Sequence, residues 1–401
     1  MDRPYRYADE EPYRLDPTPL YATLRREQPV AAVSTPYGEP GWLVTRYDSV
    51  KTVLSDPRFS RAGAVAAGDR LPRASSFAPL ANPLSSTDPP EHTRVRRPVL
   101  GAFTKNQVER YRRRTREIAD TLVDDLLAAG GPVDLCDAFA KPLPTTLVGE
   151  IFGVPPQDRV QFKQWSTPVL SRTRHTSGQI AAAQARLHGY LHRLVTRKRA
   201  HPGDDLLSDL LRTHAGQHTI TEDQLVAITA SLLLNDSIAN QTANFCYQLL
   251  TNPEQLAWLR SHPARLPAAV EELLRYVPVG VDAPSGAQGH PRMALTDVHL
   301  DGTTIRAGDF VLPSIVSANR DERVFADAYR LDLSRTRNPH IAFGYGTHHC
   351  PGAELSRMTL QVALGTLLRR LPDLQLAVPP DQVPWIHGMI VRGLHSLPVR
   401  W

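Results

Sequence analysis

The sequence predicts a mostly helical fold with a smaller β-rich part, in a chain of 401 residues whose length allows two or three ordinary domains or one large one. Three observations carry this. Residues 105 to 215 are helical in pattern, interrupted only at Gly130-Gly131, Pro142, Pro144, Pro155-Pro156 and Pro202-Gly203. A further helical run of about 30 residues starts at Thr221 and stops at Asn252-Pro253. Beyond it, VHLDGTTIRAGDFVLPSIV reads as strands around DG and AGD turns. Repeats and low-complexity linkers are absent, and no stretch reads as a hinge between independent domains.

In chain order, Pro17 to Gln28 reads as a first helix, with Leu20 and Leu24 on one face. GWLVTRYDSV, from Gly41 to Val50, reads as a strand that leads into a helix through Val53 and Leu54. From Ser60 to Ala81 the pattern dissolves, and an irregular segment of that length is commonly functional or mobile. DPPEHTRVRR then begins at Asp88, which reads as the cap of a helix with prolines near its start. His92 and Arg96, four apart, share one face of it. Such a pair on its own is usually a solvated basic face.

Thr221 with Gln224 forms a capping box, and Glu222 and Asp223 suit the positive helix end. In the middle of this run, three leucines precede Asn235, Asp236 and Ser237, with Asn240 and Gln241 beyond. A buried aspartate must be hydrogen-bonded or protonated; otherwise these residues form a wet face. Glu272 and Arg275 in VEELLRY share a helical face, a spacing that by itself is mostly surface charge.

Composition narrows the function classes. Hydrophobic content of 41% supports a sizeable core, and the net charge of +5 is mild and scattered, which argues against nucleic-acid binding. The three cysteines, Cys136, Cys246 and Cys350, are odd in number and far apart. That pattern favours a reducing cytoplasm over a disulfide framework or a zinc site. Neither a signal core nor a run of about 18 apolar residues occurs, so no membrane association is expected.

The most informative stretch is FGYGTHHCPGAELSR, Phe343 to Arg357. Gly344 and Gly346 let the backbone lie flat against a bulky group, and Pro351-Gly352 turn the chain into an apolar helix. Cys350 stands at the N-terminal end of that helix, where the dipole and free N–H groups favour a thiolate. A lone cysteine is otherwise most often a small buried hydrophobe. The stretch resembles the haem-binding signature of the cytochrome P450 family, FGxGxHxCxGxxLAR, with Ser356 in place of alanine as its one departure.

The resemblance implies the cytochrome P450 fold, a single mostly helical domain over residues 1–401 with a minor β-rich lobe, and heme b (iron protoporphyrin IX), with Cys350 as the proximal thiolate ligand of the iron and Phe343 against the cofactor. It implies propionate contacts from His92, Arg96, Arg292 and His348. Glu272, Arg275 and Arg335 would form a buried structural network that steadies the cysteine loop. An acid followed by an alcohol on the central helix would deliver protons during oxygen activation. Counting back from Glu272 gives Asp236 and Ser237, while a local match of IANQT would choose Gln241 and Thr242. We take the first, because a carboxylic acid exchanges protons near neutral pH and an amide does not. Leu233-Leu234 replace the family's Ala-Gly and are expected to crowd the groove.

The stretch between Arg275 and Arg292 is longer than in bacterial members, so residues 276–291 are expected to remodel the pocket roof, with Ser285 and Gln288 as substrate contacts. The hairpin tip near Met389 and Ile390 is expected to overhang the haem. The implied activity is oxidation of a small-molecule substrate, a natural-product scaffold, with electrons from a ferredoxin and ferredoxin reductase in the cytoplasm. Likeness of LAVPPDQVPW and LPVRW to cyclodipeptide-oxidising members adds radical coupling of an aromatic cyclic dipeptide as an alternative to hydroxylation. A peroxide-driven peroxygenase and a non-catalytic haem sensor are the other readings.

Overall fold

A computed structural model describes residues 5–6, 14–74, 82–214, 220–234, 236–280 and 290–401. Its centre is the helix Ala353–Arg370, apolar nearly all round, with Leu355, Met358, Leu360, Val362, Leu364 and Leu367 buried. A helix of that kind needs cover on every side. Lys105–Ala129 supplies much of it, packing along its length through Val108, Ile118, Ala119, Val123 and Leu126 at helical spacing. Asp236–Leu250 and Leu266–Tyr276 pack on other sides. These helices share one large apolar core. Gly130, at φ +73° and ψ 161°, closes Lys105–Ala129 in a positive-φ conformation that glycine alone takes readily.

The smaller, β-rich part is a six-stranded mixed sheet. Its order is Tyr5–Arg6, Val30–Ser34, Gly41–Val44, Phe310–Pro313, Arg292–Ala294 and Phe59–Ser60. Gly41–Val44 pairs parallel with Phe310–Pro313, so chain segments far apart in sequence meet in register. This sheet packs its own two apolar clusters. A three-stranded sheet joins Gln375–Leu376 and Pro398–Arg400 to Val133–Asp134, which ties the chain's last residues to the helical part.

Several expectations shift. The strand at Gly41 ends at Val44, and Tyr47 already opens the next helix, Tyr47–Ser55. Pro142 begins the helix Pro142–Ile151 rather than breaking one, since its missing N–H costs nothing at the first position. Part of the irregular segment, Arg61–Ala66, is helical, and residues 75–81 lie outside the described ones.

Asp88 does not cap its own helix, Glu91–Ala102. Its carboxylate instead takes the amides of Arg61 (3.0 Å) and Ala62 (3.2 Å) and the Ser60 hydroxyl, capping Arg61–Ala66 across the fold. Burial pushes the Asp88 carboxyl up, but these donors together hold it below its ordinary value.

The long central helix is also broken. Glu222–Leu233 carries the expected capping box between Thr221 and Gln224, but Leu234 leaves helical geometry (ψ 79°) and Asp236–Leu250 starts anew. Asn235 lies outside the described residues. Propensity alone did not reveal this, because leucine is a good helix former.

Candidate active site

Glu272 anchors the region behind the cysteine loop. Arg275 reaches its two oxygens at 2.7 and 2.8 Å, Arg335 Nε donates at 3.1 Å and Asn338 Nδ2 at 3.2 Å. Both side chains of the Glu272–Arg275 pair are fully buried. Arg275 also donates to the carbonyls of Asn319 and Ala328, so the ion pair is saturated rather than merely close. The three residues expected to meet here do so, and Asn338 joins them without any sequence signal.

A second network, missed by sequence reasoning, lies beside the first. Glu271 accepts from Arg357 Nε at 2.9 Å and faces His340 Nε2 at 2.9 Å, and the Arg357 guanidinium lies 4.7 Å from the centre of the Phe343 ring. Burial pushes the Glu271 carboxyl up, but His340 and Arg357 more than offset this and hold it below its ordinary value of 4.5. The stability it contributes is therefore present above about pH 4.5 and lost as pH falls through its lower folded value. Glu271→Gln is expected to lower stability at neutral pH and to flatten the acid limb of a plot of unfolding midpoint against pH.

The cysteine loop is held by its own backbone. Cys350 N donates to the Phe343 carbonyl at 2.8 Å, closing the loop, and Gly344 and Gly346 sit at φ +79° and +70°. A Cβ at Gly346 would lie 2.8 Å from the Leu54 carbonyl oxygen and 2.9 Å from Ser55 Cα. Neither backbone can yield, and the conformation is itself unfavourable to side chains. Gly346→Ala is expected to cost about 1–3 kcal/mol and to weaken haem retention. Gly101→Ala, in open space within a helix, should hold or raise the melting temperature.

Above this loop lies a cavity of about 280 Å³, with Cys350 in its wall beside Phe343, Arg96, Arg292, His348 and Ser237. Its rim is rich in cationic groups. His92 and Arg96 are buried on one face of Glu91–Ala102, as their spacing implied. Arg96 donates to the His349 carbonyl, and Arg292 Nη1 to the His290 carbonyl at 2.7 Å. Among the described residues neither guanidinium forms an ion pair.

Burial, and then the charge of Arg61, lower Arg292 to about 9, which still leaves it cationic at neutral pH. Burial, then Arg292 and His92, drive His348 down to about 3. The rings of His348 and His92 lie 4.3 Å apart. The nearby Leu84 carbonyl is engaged by His348 Nδ1 at 3.2 Å, and neither nitrogen of His92 has a well-formed hydrogen bond. Buried cations and orphaned imidazole nitrogens are costly unless an anion meets them. The donor set therefore fits a flat group that carries carboxylates over a thiol. At Cys350 itself burial pushes the thiol up, opposed by the Gly352 amide, Arg96 and Arg357. The helix proper begins only at Ala353, so its dipole is weaker at the sulfur than its place in the sequence suggested.

The expected proton-delivery pair is divided between two cavities. Ser237 lines the one with Cys350, as does Gln241 of the competing register. Gln241 is spent on the Val277 carbonyl at 2.9 Å, and Thr242 is fully buried against the Ile238 carbonyl. Asp236 instead lines a second cavity of about 680 Å³, where Lys163 Nζ meets its Oδ1 at 2.5 Å. Successive helical residues point about 100° apart, so one helix edge serves both spaces.

Leu233 does not crowd the groove beside Cys350; it packs into the core near Phe162 and Val154. Met389 also lines the second cavity, not the first. The hairpin tip is pinned there, with Ile390 N donating to the Leu170 carbonyl at 2.8 Å. Ser285 and Gln288 lie outside the described residues, but His290, at the end of that insertion, faces the cavity with Cys350.

Comparison with known proteins agrees with this geometry. The cytochrome P450 family model matches residues 264–387. Nocardicin C N-oxygenase of Nocardia uniformis subsp. tsuyamanensis is 47% identical over 401 residues, covering 100% of this chain and 98% of the relative. Mycinamicin IV hydroxylase/epoxidase of Micromonospora griseorubida is 43% identical, covering 95% of this chain and 94% of its own. The crystal structure of HinD with NMFT and NO superimposes with a TM-score of 0.94 at 43% identity, each chain covered completely. Likeness of that extent, running the length of the molecule and through the cysteine loop, makes this chain a member of the cytochrome P450 family and an oxidoreductase.

Proposed function

We propose that this P450 is a haem-thiolate monooxygenase that inserts oxygen into a small natural-product scaffold, taking two electrons in turn from a ferredoxin served by its reductase. The observation that carries this is the cavity that joins Cys350, the buried cationic rim and the Ser237 hydroxyl. Cys350 Sγ would ligate the iron of heme b, Phe343 would lie against the cofactor, and His92, Arg96, Arg292 and His348 would hold its carboxylates through charge-assisted bonds. When bound, the haem supplies dioxygen activation at a thiolate-ligated iron.

The chain's own residues govern protons. Ser237 Oγ, in the cavity wall, is the group that hands a proton inward. Asp236, one residue ahead, is the acid that draws protons from the second cavity, and Lys163 keeps its carboxylate oriented there. The natural-product assignment is supported by the names of the two relatives, one an N-oxygenase and one a hydroxylase/epoxidase. Coupling of an aromatic cyclic dipeptide rests on the C-terminal motifs alone, since Leu233 does not crowd the cavity.

The test begins with natural-product scaffolds that shift the haem spectrum, turned over with ferredoxin and reductase or with hydrogen peroxide. A product heavier by one oxygen, formed with the electron donors, is the expected result. A cross-linked product lacking two hydrogens would replace it with coupling. Turnover only with peroxide would make the protein a peroxygenase, and no substrate-dependent electron uptake would make it a haem sensor.

A further inference from the structure

Away from the haem-type cavity, one cluster of ligating side chains has no part in the proposed chemistry. His188 and His192 stand four residues apart on the helix Ser177–Ala200 and so project from the same face. Opposite them is Asp223, in the first turn of Glu222–Leu233. The two Nε2 atoms are 3.3 Å apart, and His192 Nε2 is 3.4 Å from Asp223 Oδ1. All three ligating atoms lie within 4.8 Å of one another.

These separations have a specific meaning. Bonds of about 2.0–2.1 Å to zinc in tetrahedral geometry put neighbouring ligand atoms about 3.3–3.4 Å apart. Two edges of such a tetrahedron are therefore already at length. Imidazole nitrogens suit zinc and its transition-metal neighbours, whereas magnesium and calcium prefer all-oxygen sites.

An outer shell is in place as well. His192 Nδ1 faces Glu222 Oε1 at 3.4 Å, and Arg199 holds Glu222 Oε2 at 2.6 Å. A carboxylate on the second ring nitrogen is the arrangement that fixes the tautomer and raises the basicity of a ligating histidine.

We propose that His188, His192 and Asp223 form a binding site for a zinc-like divalent cation, with water in the fourth position. Occupancy would clamp the Ser177–Ala200 helix to the start of Glu222–Leu233. Ser177–Ala200 packs on Arg159–Val169, which carries Lys163, so the clamp braces the wall of the second cavity. Because the unfolded chain does not hold these groups together, binding stabilises the folded state by mass action.

The haem-loaded protein, dialysed free of loose metal, is titrated with zinc while bound metal and the thermal midpoint are followed. One equivalent is expected to bind saturably and raise the midpoint, and magnesium is expected not to. His188→Ala, His192→Ala and Asp223→Asn should each weaken zinc binding at least about ten-fold, and Glu222→Gln about ten-fold. His262→Ala, at an exposed histidine elsewhere, should leave binding unchanged. Metal-free midpoints of the variants near that of the parent protein establish that each is folded. The proposal is overturned if no saturable one-to-one binding occurs, or if the His188→Ala/His192→Ala double variant binds zinc as the parent does.

Discussion

Replacing Cys350 with alanine is expected to abolish the red-shifted Soret band of thiolate ligation in the ferrous protein under carbon monoxide, and turnover with it. No other sulfur can stand in. Cys136 and Cys246 are buried elsewhere in the core, and burial pushes the Cys246 thiol up to about 12, deep in its protonated form. The substitution is expected to spare the loop, because its closing bond from Cys350 N to the Phe343 carbonyl and the positive φ of Gly344 and Gly346 belong to the backbone. Loss of the band is thereby separated from loss of the fold, which far-ultraviolet circular dichroism of the variant reports independently. An unaltered band in Cys350→Ala would remove the assigned ligand.

Breaking the Glu272 network carries the second large effect. Arg275→Ala leaves a fully buried carboxylate with weaker partners and strips donors from the carbonyls of Asn319 and Ala328. Removing one member of a buried pair costs about 3–5 kcal/mol, a large share of the roughly 5–15 kcal/mol that holds a folded protein together. The expected outcome is little soluble, haem-loaded protein at 37 °C and a lowered denaturant midpoint for what remains. Arg335→Ala, at the edge of the network with one 3.1 Å bond to Glu272, is expected to fall well short of that. Equal losses for the two variants would mean that the carboxylate is not the organising centre. Because Asp332 N and Asn338 also bind Glu272, the network fixes the chain just ahead of the cysteine loop. Its failure should therefore appear in haem retention before it appears in helix content.

Where the site could be read in the sequence, the information was local. The glycines of FGYGTHHCPG, the four-residue spacing of His92 and Arg96 and the three-residue spacing of Glu272 and Arg275 each need only a short stretch of chain to define a face or a turn. The capping box at Thr221 belongs to the same class, and so does the helical character of residues 105 to 215. Where the reading failed, the deciding contact came from far away. Asp88 caps a helix 27 residues earlier in the chain, Lys163 meets Asp236 across 73 residues, and Glu271 is claimed by Arg357 across 86. The break at Leu234 left no mark in a run of good helix formers.

The sequence by itself determined the cysteine loop, the helical class and the types of residue that gather around the cavity, because backbone freedom and side-chain periodicity are properties of neighbours along the chain. Only the tertiary structure decided which cavity each residue faces. It placed Ser237 in one cavity wall with Cys350 and turned Asp236 and Met389 to the other cavity. A side chain's direction depends on where its helix starts and what packs against it, and both are set by contacts between segments the sequence does not place side by side.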